Sequence, residues 1–188
     1  FKMIKIEPKR IEELIKGLAK FNAQPGEGIT RLAYSDVDKG AQTWLLKEIE
    51  YMGLTVEEDA VGNVFLRRPG LNPYLPPVAT GSHLDTVIHG GAYDGMCGVV
   101  GALEAVRMLG DEQLLRDIVI VIFRAEESSR FGYATIGSKL MTGSATPDTF
   151  DKGSKKGDLT FKEALKQWGC KPEDYAKAIK QPGAFKSF

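Results

Sequence analysis

The chain has 188 residues, with 25 basic and 25 acidic side chains and a formal net charge of zero. This length suits one domain with a sizeable core, and the balanced charge gives no indication of a nucleic-acid or membrane-surface partner, so a small-molecule ligand is expected. No apolar run approaches the ~18 residues that span a bilayer, and the first residues lack the apolar core of a signal peptide. These features predict a cytoplasmic protein whose Cys97 and Cys170 are free thiols.

The first part of the chain predicts two helices and a hairpin. Apolar side chains recur with a helical period over residues 8–20, with a proline in the first turn. Ser35 is placed to cap a second helix that stops at Gly53, and the segment 22–34 is interpreted as a connector. Short runs at 54–59 and 63–69 predict the two strands of a hairpin.

The central part predicts the core of an α/β domain. A short apolar segment ends at His83, and residues 98–109 form a helical pattern that Gly110 ends. The β-branched run 117–123 is typical of a strand buried on both faces, which indicates a parallel sheet covered by helices. Sheets of this kind carry their sites at the carboxyl ends of the strands.

The last part predicts shorter elements. Residues 136–143 suit a short helix or turn, and the polar stretch 147–158 is expected to be mobile. Thr160 and Glu163 form a capping box for a helix that follows, and Pro172 opens a last helix.

Three side chains around the central strand and helix suggest a metal site. His83 and Asp85 stand two residues apart at a strand end, so extended backbone would put both on one face. Asp94 comes among glycines where the next helix begins. An imidazole and carboxylates on rigid elements suit a divalent cation. The alternative is that Asp94 only caps the helix and His83 is an ordinary core histidine.

Glu126 and Glu127 directly follow the strand 117–123. Adjacent carboxylates at the exit of a buried strand are costly unless positive charge meets them, and a pair of cations would do so. One carboxylate could then ligate while its neighbour takes a proton from water, which gives metal-assisted hydrolysis of an amide-like bond. The alternative is a solvated pair beside Arg124 or Arg130.

Other interpretations of these segments remain open but are less favoured. His89 could be a third ligand, although it lies in a glycine turn beyond the strand end. Cys97 could be a soft ligand, although a small residue that packs a helix is the simpler interpretation. The glycines at 90–98 match neither a dinucleotide fingerprint nor a P-loop, and no G-x-S-x-G elbow surrounds the serines at 128–129.

Three segments together carry a family resemblance: GSHLDTV at 81–87, GG-x-YDG-x-x-GV at 90–99, and EES-x-RFG at 126–132 with the GS and TG that follow. They resemble the dinuclear metallo-amidohydrolases of the M20 peptidase clan, and more narrowly the group of N-carbamoyl-L-amino-acid hydrolase, allantoate amidohydrolase and β-ureidopropionase. The resemblance implies a three-layer α/β/α sheet domain of the zinc-exopeptidase type.

The resemblance also implies roles for individual residues. His83 would ligate one metal, Asp94 would bridge, and Glu127 would ligate the other metal. Glu126 would be the general base that deprotonates the bridging water, and Asp85 would steady the site. The implied cofactors are two divalent ions, Zn²⁺ or else Mn²⁺, Co²⁺ or Ni²⁺, because nitrogen and oxygen ligands do not select one metal.

By the same resemblance, the expected reaction is hydrolysis of the ureido C–N bond of N-carbamoyl-L-amino acids, with allantoate or β-ureidopropionate as alternative substrates. The family completes each metal site with a further histidine and holds substrate with an inserted dimerisation domain, and its members are homodimers. Residues 1–188 are therefore expected to be the N-terminal portion of a catalytic domain, inactive alone. The alternative of another class is a non-catalytic truncated fragment.

Overall fold

A computed structural model describes residues 5–151 and 159–188 of the chain. The α-helices in this part are α1 (Pro8–Ala19), α2 (Asp36–Glu48), α3 (Met96–Met108), α4 (Ile136–Met141), α5 (Pro147–Phe150) and α6 (Phe161–Trp168). The strands are β1 (Thr55–Glu58), β2 (Val64–Arg68), β3 (Val78–His83) and β4 (Ile118–Phe123), and short 3₁₀ helices span Glu50–Met52 and Pro172–Ala178. None of the helices described is both long and apolar enough to cross a bilayer.

The strands form one open sheet in the order β1-β2-β4-β3. The predicted hairpin is confirmed, because β1 and β2 pair antiparallel. β4 pairs parallel with β3 but antiparallel with β2, so the expectation of a parallel sheet is only half right. The apolar run of β4 reports burial on both faces, and burial does not fix the direction of the neighbouring strand.

Side chains alternate along β4 between two cores. Ile120 and Ile122 pack with Val64 and Leu66 of β2 against α1, α2 and α3. Val119 and Val121 face the other way and pack with Phe65, Met141 and Phe185. Helices and the C-terminal segment thus cover both faces of the sheet, which confirms the α/β class.

A separate aromatic core lies beyond the end of β4. Tyr34 is at its centre, with ring centroids 5.6 Å from Trp168 and 5.7 Å from Phe161, in edge-on geometry. Phe131 and Phe150 complete the group of buried aromatic rings. Edge-on pairs contribute beyond the area that they bury, so this core fixes the segment that follows β4.

The helix ends mostly agree with the sequence patterns. The Ser35 hydroxyl accepts a hydrogen bond from the Asp38 amide, and Thr160 and Glu163 form both bonds of a capping box. The predicted last helix does begin at Pro172, as a 3₁₀ helix over Pro172–Ala178. In the stretch expected to be mobile, Pro147–Phe150 is helical with Phe150 buried, and residues 152–158 lie outside the described part.

Candidate metal centre

The neighbouring parallel strands β3 and β4 bring the predicted site residues to one edge of the sheet. His83 is the last residue of β3 and pairs in register with Phe123, the last residue of β4. Asp85 and the segment from Arg124 to Glu127 therefore leave the sheet side by side. This placement follows from the carboxyl ends of parallel strands lying at the same edge.

Asp94 reaches this edge through a tight turn at Gly95. Gly95 has a φ of 67°, and a Cβ at this position would lie 2.5 Å from Cε1 of the His83 ring. Only glycine allows both this conformation and this approach. Helix α3 begins at Met96 with Gly95 at the capping position, so Asp94 lies one residue outside the cap. The interpretation of Asp94 as a mere helix cap is wrong.

The side chains converge on the imidazole of His83. Its Nε2 is 3.6 Å from Oε2 of Glu126 and 3.8 Å from Oδ1 of Asp94. Among the described residues, His83, Glu126 and Glu127 each offer a ligand atom within 4.8 Å of the other two. Asp94 is also close enough to Glu127 for its negative charge to raise the pKa of that carboxyl group. His83, Asp94, Glu126 and Glu127 therefore lie in one cluster.

The other ring nitrogen of His83 determines its tautomer. Nδ1 is 2.9 Å from the backbone carbonyl oxygen of Asp85. A carbonyl oxygen only accepts, so Nδ1 carries a proton, and in the neutral imidazole the lone pair is then on Nε2. The lone pair lies on the side of the ring that faces Glu126 and Asp94. His83 is buried, and the bond from Nδ1 to a backbone carbonyl fixes the ring with Nε2 towards these carboxylates, an arrangement that metal-ligating histidines usually have.

Asp85 holds the glutamate pair through its backbone. Its Oδ1 and Oδ2 accept hydrogen bonds from the amides of Glu126 and Glu127 at 3.2 and 3.0 Å. Burial raises the pKa of Asp85 to about 6, and nearby Asp38 adds to this, whereas the two amides and His83 oppose it. The carboxylate therefore positions Glu126 and Glu127 as well as adjoining His83, where its Oδ1 is 3.8 Å from Nδ1.

The residue before the glutamates has an unusual backbone. Ala125 is fully buried and has a φ of 49°, in the left-handed region that residues with a Cβ rarely adopt. Such conformations persist only where the surroundings enforce them, and they cluster at functional sites. The turn redirects the chain from β4 so that Glu126 and Glu127 follow at the site.

The arginine that might have neutralised the glutamates lies elsewhere. Arg124 is buried, and its Nη1 is 2.9 Å from Oδ1 of Asp38. Its Nε donates to the carbonyl of Gly62, and its guanidinium lies 4.5 Å from the ring centroid of Trp168. Arg130 donates to the carbonyl of Ala33. Of the two arginines in the alternative interpretation, Arg124 is therefore excluded as a partner of the glutamates, because its buried guanidinium pairs with Asp38.

Sequence reasoning missed the residues that support the site from behind. Arg31 is fully buried, and it donates to the carbonyls of Leu84 and Leu18 and through its amide to Thr86. The segment 22–34 is thus a support for the strand end and more than a connector. The buried Asp38 was missed in the same way. The one available signal was a charged residue inside an otherwise helical or apolar pattern.

The less favoured ligands do not join the cluster. The Nδ1 of His89 donates to the carbonyl of Glu27, and Ile29 bridges Gly90 across the same loop pair. His89 belongs to the contact between two loops, and Cys97 is exposed on α3. Neither is grouped with the other candidate ligands in the described part of the chain.

The cluster has the chemistry of a divalent-cation site. Burial raises the pKa of Glu127, and the negative charges of Asp94 and Glu126 raise it further. A cation at this place would relieve both effects, because opposite charge favours the ionised carboxylate. One imidazole nitrogen with its lone pair free and several carboxylate oxygens make up a donor set that zinc and similar metals accept.

Comparison with known proteins connects this geometry with hydrolases. The model of Peptidase family M28 matches residues 63–154, which include the candidate site residues. The chain is 35% identical to a ureidoglycolate hydrolase of Arabidopsis thaliana, over 98% of this chain and 40% of that protein. It is 33% identical to an N-carbamoyl-L-amino acid amidohydrolase of Geobacillus stearothermophilus, over 97% of this chain and 45% of that protein. An allantoate amidohydrolase of Escherichia coli is 36% identical over 85% of this chain and 39% of that protein.

Solved structures show the same likeness. A hydantoinase/carbamoylase family amidase from Burkholderia ambifaria superposes with a TM-score of 0.82 at 35% identity, over 90% of this chain and 42% of that one. The chain spans less than half the length of the curated relatives described above.

Proposed function

Because this chain belongs to the amidohydrolase family that includes N-carbamoyl-L-amino acid, allantoate and ureidoglycolate hydrolases, we propose that the whole protein hydrolyses the ureido C–N bond of an N-carbamoyl-L-amino acid. The observation that supports this most is the convergence of Asp94 and Glu126 on Nε2 of His83, at 3.8 and 3.6 Å. Families of this kind are generally metal-dependent.

We assign His83, Asp94 and Glu127 as the residues that hold two divalent cations, Zn²⁺ or else Mn²⁺, Co²⁺ or Ni²⁺. Bound there, the cations would lower the pKa of water to about 7 and polarise the substrate carbonyl. Asp94 lies 3.8 Å from Nε2 of His83, and its charge raises the pKa of Glu127, so a role as the shared ligand is consistent with its position.

The remaining carboxylate, Glu126, is the proposed general base. Its side chain is 34% exposed, so it can meet water at the mouth of the cluster. It takes a proton from the attacking water and returns a proton to the leaving nitrogen. Asp85 keeps Glu126 oriented by accepting the hydrogen bond from its amide.

Atoms balance for an N-carbamoyl amino acid. Water adds to the ureido carbonyl, the bond to the amino-acid nitrogen breaks, and the released carbamate gives carbon dioxide and ammonia. Allantoate and β-ureidopropionate are alternative substrates with the same bond. Ureidoglycolate is a second candidate, which the 35% identity to the Arabidopsis hydrolase favours.

We further propose that the 188 residues are the N-terminal portion of the catalytic domain of a longer, cytoplasmic homodimer. The match to only 40–45% of the first relatives supports this. Histidines that complete each metal site and groups that bind the substrate would then lie in other segments. The 188 residues alone should bind divalent metal weakly or not at all, and should hydrolyse none of these substrates. The alternative is that the 188-residue chain is itself a truncated, non-catalytic fragment.

A substrate panel tests the proposal. The protein at its natural length, which intact mass and gene length establish, is loaded separately with Zn²⁺, Mn²⁺ and Co²⁺ and assayed for ammonia release. N-carbamoyl-L-amino acids should turn over fastest, with allantoate, β-ureidopropionate and ureidoglycolate tested beside them. Turnover of none of these four substrates with any of the metals would contradict the proposed function.

A further inference from the structure

A side chain continues the hydrogen bonding between β2 and β4 beyond their last pair of backbone partners. The β2–β4 pairing ends at Val64 and Ile122. Asn63 precedes Val64 and is fully buried, and its Oδ1 accepts a hydrogen bond from the backbone amide of Arg124 at 2.9 Å. A side-chain amide thus takes the place of the next backbone partner, two residues before Glu126.

The other end of the Asn63 amide is also fixed. Its Nδ2 donates to Oδ2 of Asp59 at 2.8 Å and to the carbonyl of Gly137 at 3.2 Å. Oδ1 of Asp59 accepts from the backbone amides of Val61 and Asn63. An ionised carboxylate only accepts, so it orients the Asn63 amide with its oxygen towards Arg124.

Helix α4 closes on the same point. The amide of Gly137 donates to the carbonyl of Arg124 at 2.9 Å, and a Cβ on Gly137 would lie 2.3 Å from Oδ1 of Asn63. The amides of Ile136 and Thr135 donate to the carbonyls of Ala125 and Glu126 at 2.9 and 2.7 Å. The start of α4 therefore holds the turn from Arg124 to Glu126 from one side.

The glutamate segment is thus held from three directions: by Asn63 before β2, by Asp85 after β3, and by the start of α4. The restraint is needed because Ala125 adopts a left-handed conformation that a Cβ disfavours. Without an acceptor for the Arg124 amide, a buried donor is left unsatisfied and the turn can relax.

We propose that Asn63 is a positioning residue for Glu126 and Glu127: its side-chain amide fixes the backbone at the exit of β4 so that both carboxylates face His83. This role rests on the proposed function for its chemical purpose, but the fixation of the backbone is a property of the metal-free protein. It can therefore be tested apart from catalysis.

The test uses the full-length protein with variants near the end of β4 and a control variant before its start. Asn63→Ala removes the acceptor for Arg124. Asn63→Asp keeps an acceptor but sets a second carboxylate against Asp59. The exchanged pair Asp59→Asn with Asn63→Asp restores a donor opposite an acceptor between positions 59 and 63, and keeps an acceptor for Arg124, but not the bond to the carbonyl of Gly137. Asp117→Asn is the control, since Asp117 is also buried and hydrogen-bonded but precedes the first residue of β4.

The first measurement is hydrogen exchange of the Glu126 and Glu127 amides without metal. We expect exchange in Asn63→Ala to be about tenfold faster or more, since about 1.4 kcal/mol of local stability corresponds to tenfold. The control should match the wild type at these amides. The second is Zn²⁺ affinity by chelator competition, with a loss of about 10–100-fold for Asn63→Ala, as supporting residues typically show.

The exchanged pair decides the matter if a single variant fails to fold. Both the amide exchange and the Zn²⁺ affinity of the exchanged pair should lie nearer the wild type than those of Asn63→Asp. Unchanged exchange and affinity in a folded Asn63→Ala, or an exchanged pair as defective as Asn63→Asp, would overturn the proposal. If the wild type turns over no substrate, the proposed function fails while the exchange comparison still decides the role of Asn63.

Discussion

The carboxylate of Asp85 accepts a hydrogen bond from the backbone amide of Glu127 at 3.0 Å, across 42 positions of the chain. Its second oxygen accepts from Glu126 at 3.2 Å. One side chain at the end of β3 therefore sets the course of the backbone at the end of β4. Because the same residue offers its carbonyl to the His83 ring, it connects the imidazole with both glutamates.

Replacing Asp85 should loosen this connection. Asp85→Asn puts an NH₂ group against an amide donor, so one of the two backbone bonds is lost. We expect Zn²⁺ affinity in calorimetric titration to fall about 10–100-fold. Asp117→Asn, at the far end of the sheet, should bind Zn²⁺ like the wild type. Equal affinities in all three proteins would show that Asp85 does not support the site.

Replacing each glutamate with glutamine should have a different effect on turnover and on bound metal. In the full-length protein, Glu126→Gln removes a base but no assigned ligand, so kcat should fall about 10²–10⁴-fold while metal content stays near normal. Glu127→Gln should lose bound metal as well. Turnover and elemental analysis of the same preparations measure both effects. A Glu126→Gln protein that retains more than about a hundredth of kcat would refute the base assignment.

Replacing His83 and His89 with alanine should have different effects on the amount of bound metal. His83→Ala removes the only imidazole of the cluster in the described residues, so bound metal should drop strongly. His89→Ala removes a contact between its ring and the carbonyl of Glu27, so metal should be retained. Metal content after dialysis against a weak chelator makes the comparison. A similar loss in both variants would contradict the choice of ligand.

The buried pair of Asp38 and Arg124 should matter for stability. Asp38→Asn keeps an oxygen for the amide of Tyr34 but leaves the Arg124 charge without its partner. Removing one member of a buried pair costs about 3–5 kcal/mol. We expect the free energy of unfolding in urea to fall by about 3 kcal/mol, and Arg124→Met in the same background to recover part of it. No recovery in the double variant would argue against the charge as the cause.

Acid stability should depend in part on Asp117. The hydrogen bond from the Gly70 amide, together with Arg67, lowers the pKa of Asp117 in the folded protein. A lowered folded pKa stabilises the protein above the unfolded value of about 4, and the contribution is lost as pH falls through the folded pKa. Between pH 5 and 3, unfolding titrations should therefore show a smaller loss of stability in Asp117→Asn than in the wild type. Parallel curves would contradict this prediction.

Local patterns in the sequence determined the elements and much of the site. The caps at Ser35 and at Thr160 with Glu163 depend on neighbours within one turn, and the structure has both. The apolar run of β4 likewise reports its own burial. The pattern named His83, Asp94, Glu126 and Glu127 as candidates, and their separate roles came from the family resemblance. Contacts close in sequence, and residue types with a strong chemical preference, can be recognised without a fold.

The tertiary structure alone decided how these residues are held. Nothing near Asn63 in the sequence shows that it accepts a hydrogen bond from Arg124, 61 residues later. Nothing near Asp38 shows that it pairs with the same arginine. Strand direction was undetermined for the same reason, as β4 is parallel to β3 but antiparallel to β2. A buried polar group must find a partner, but the sequence does not say which, because the partner is fixed only when the whole chain has packed.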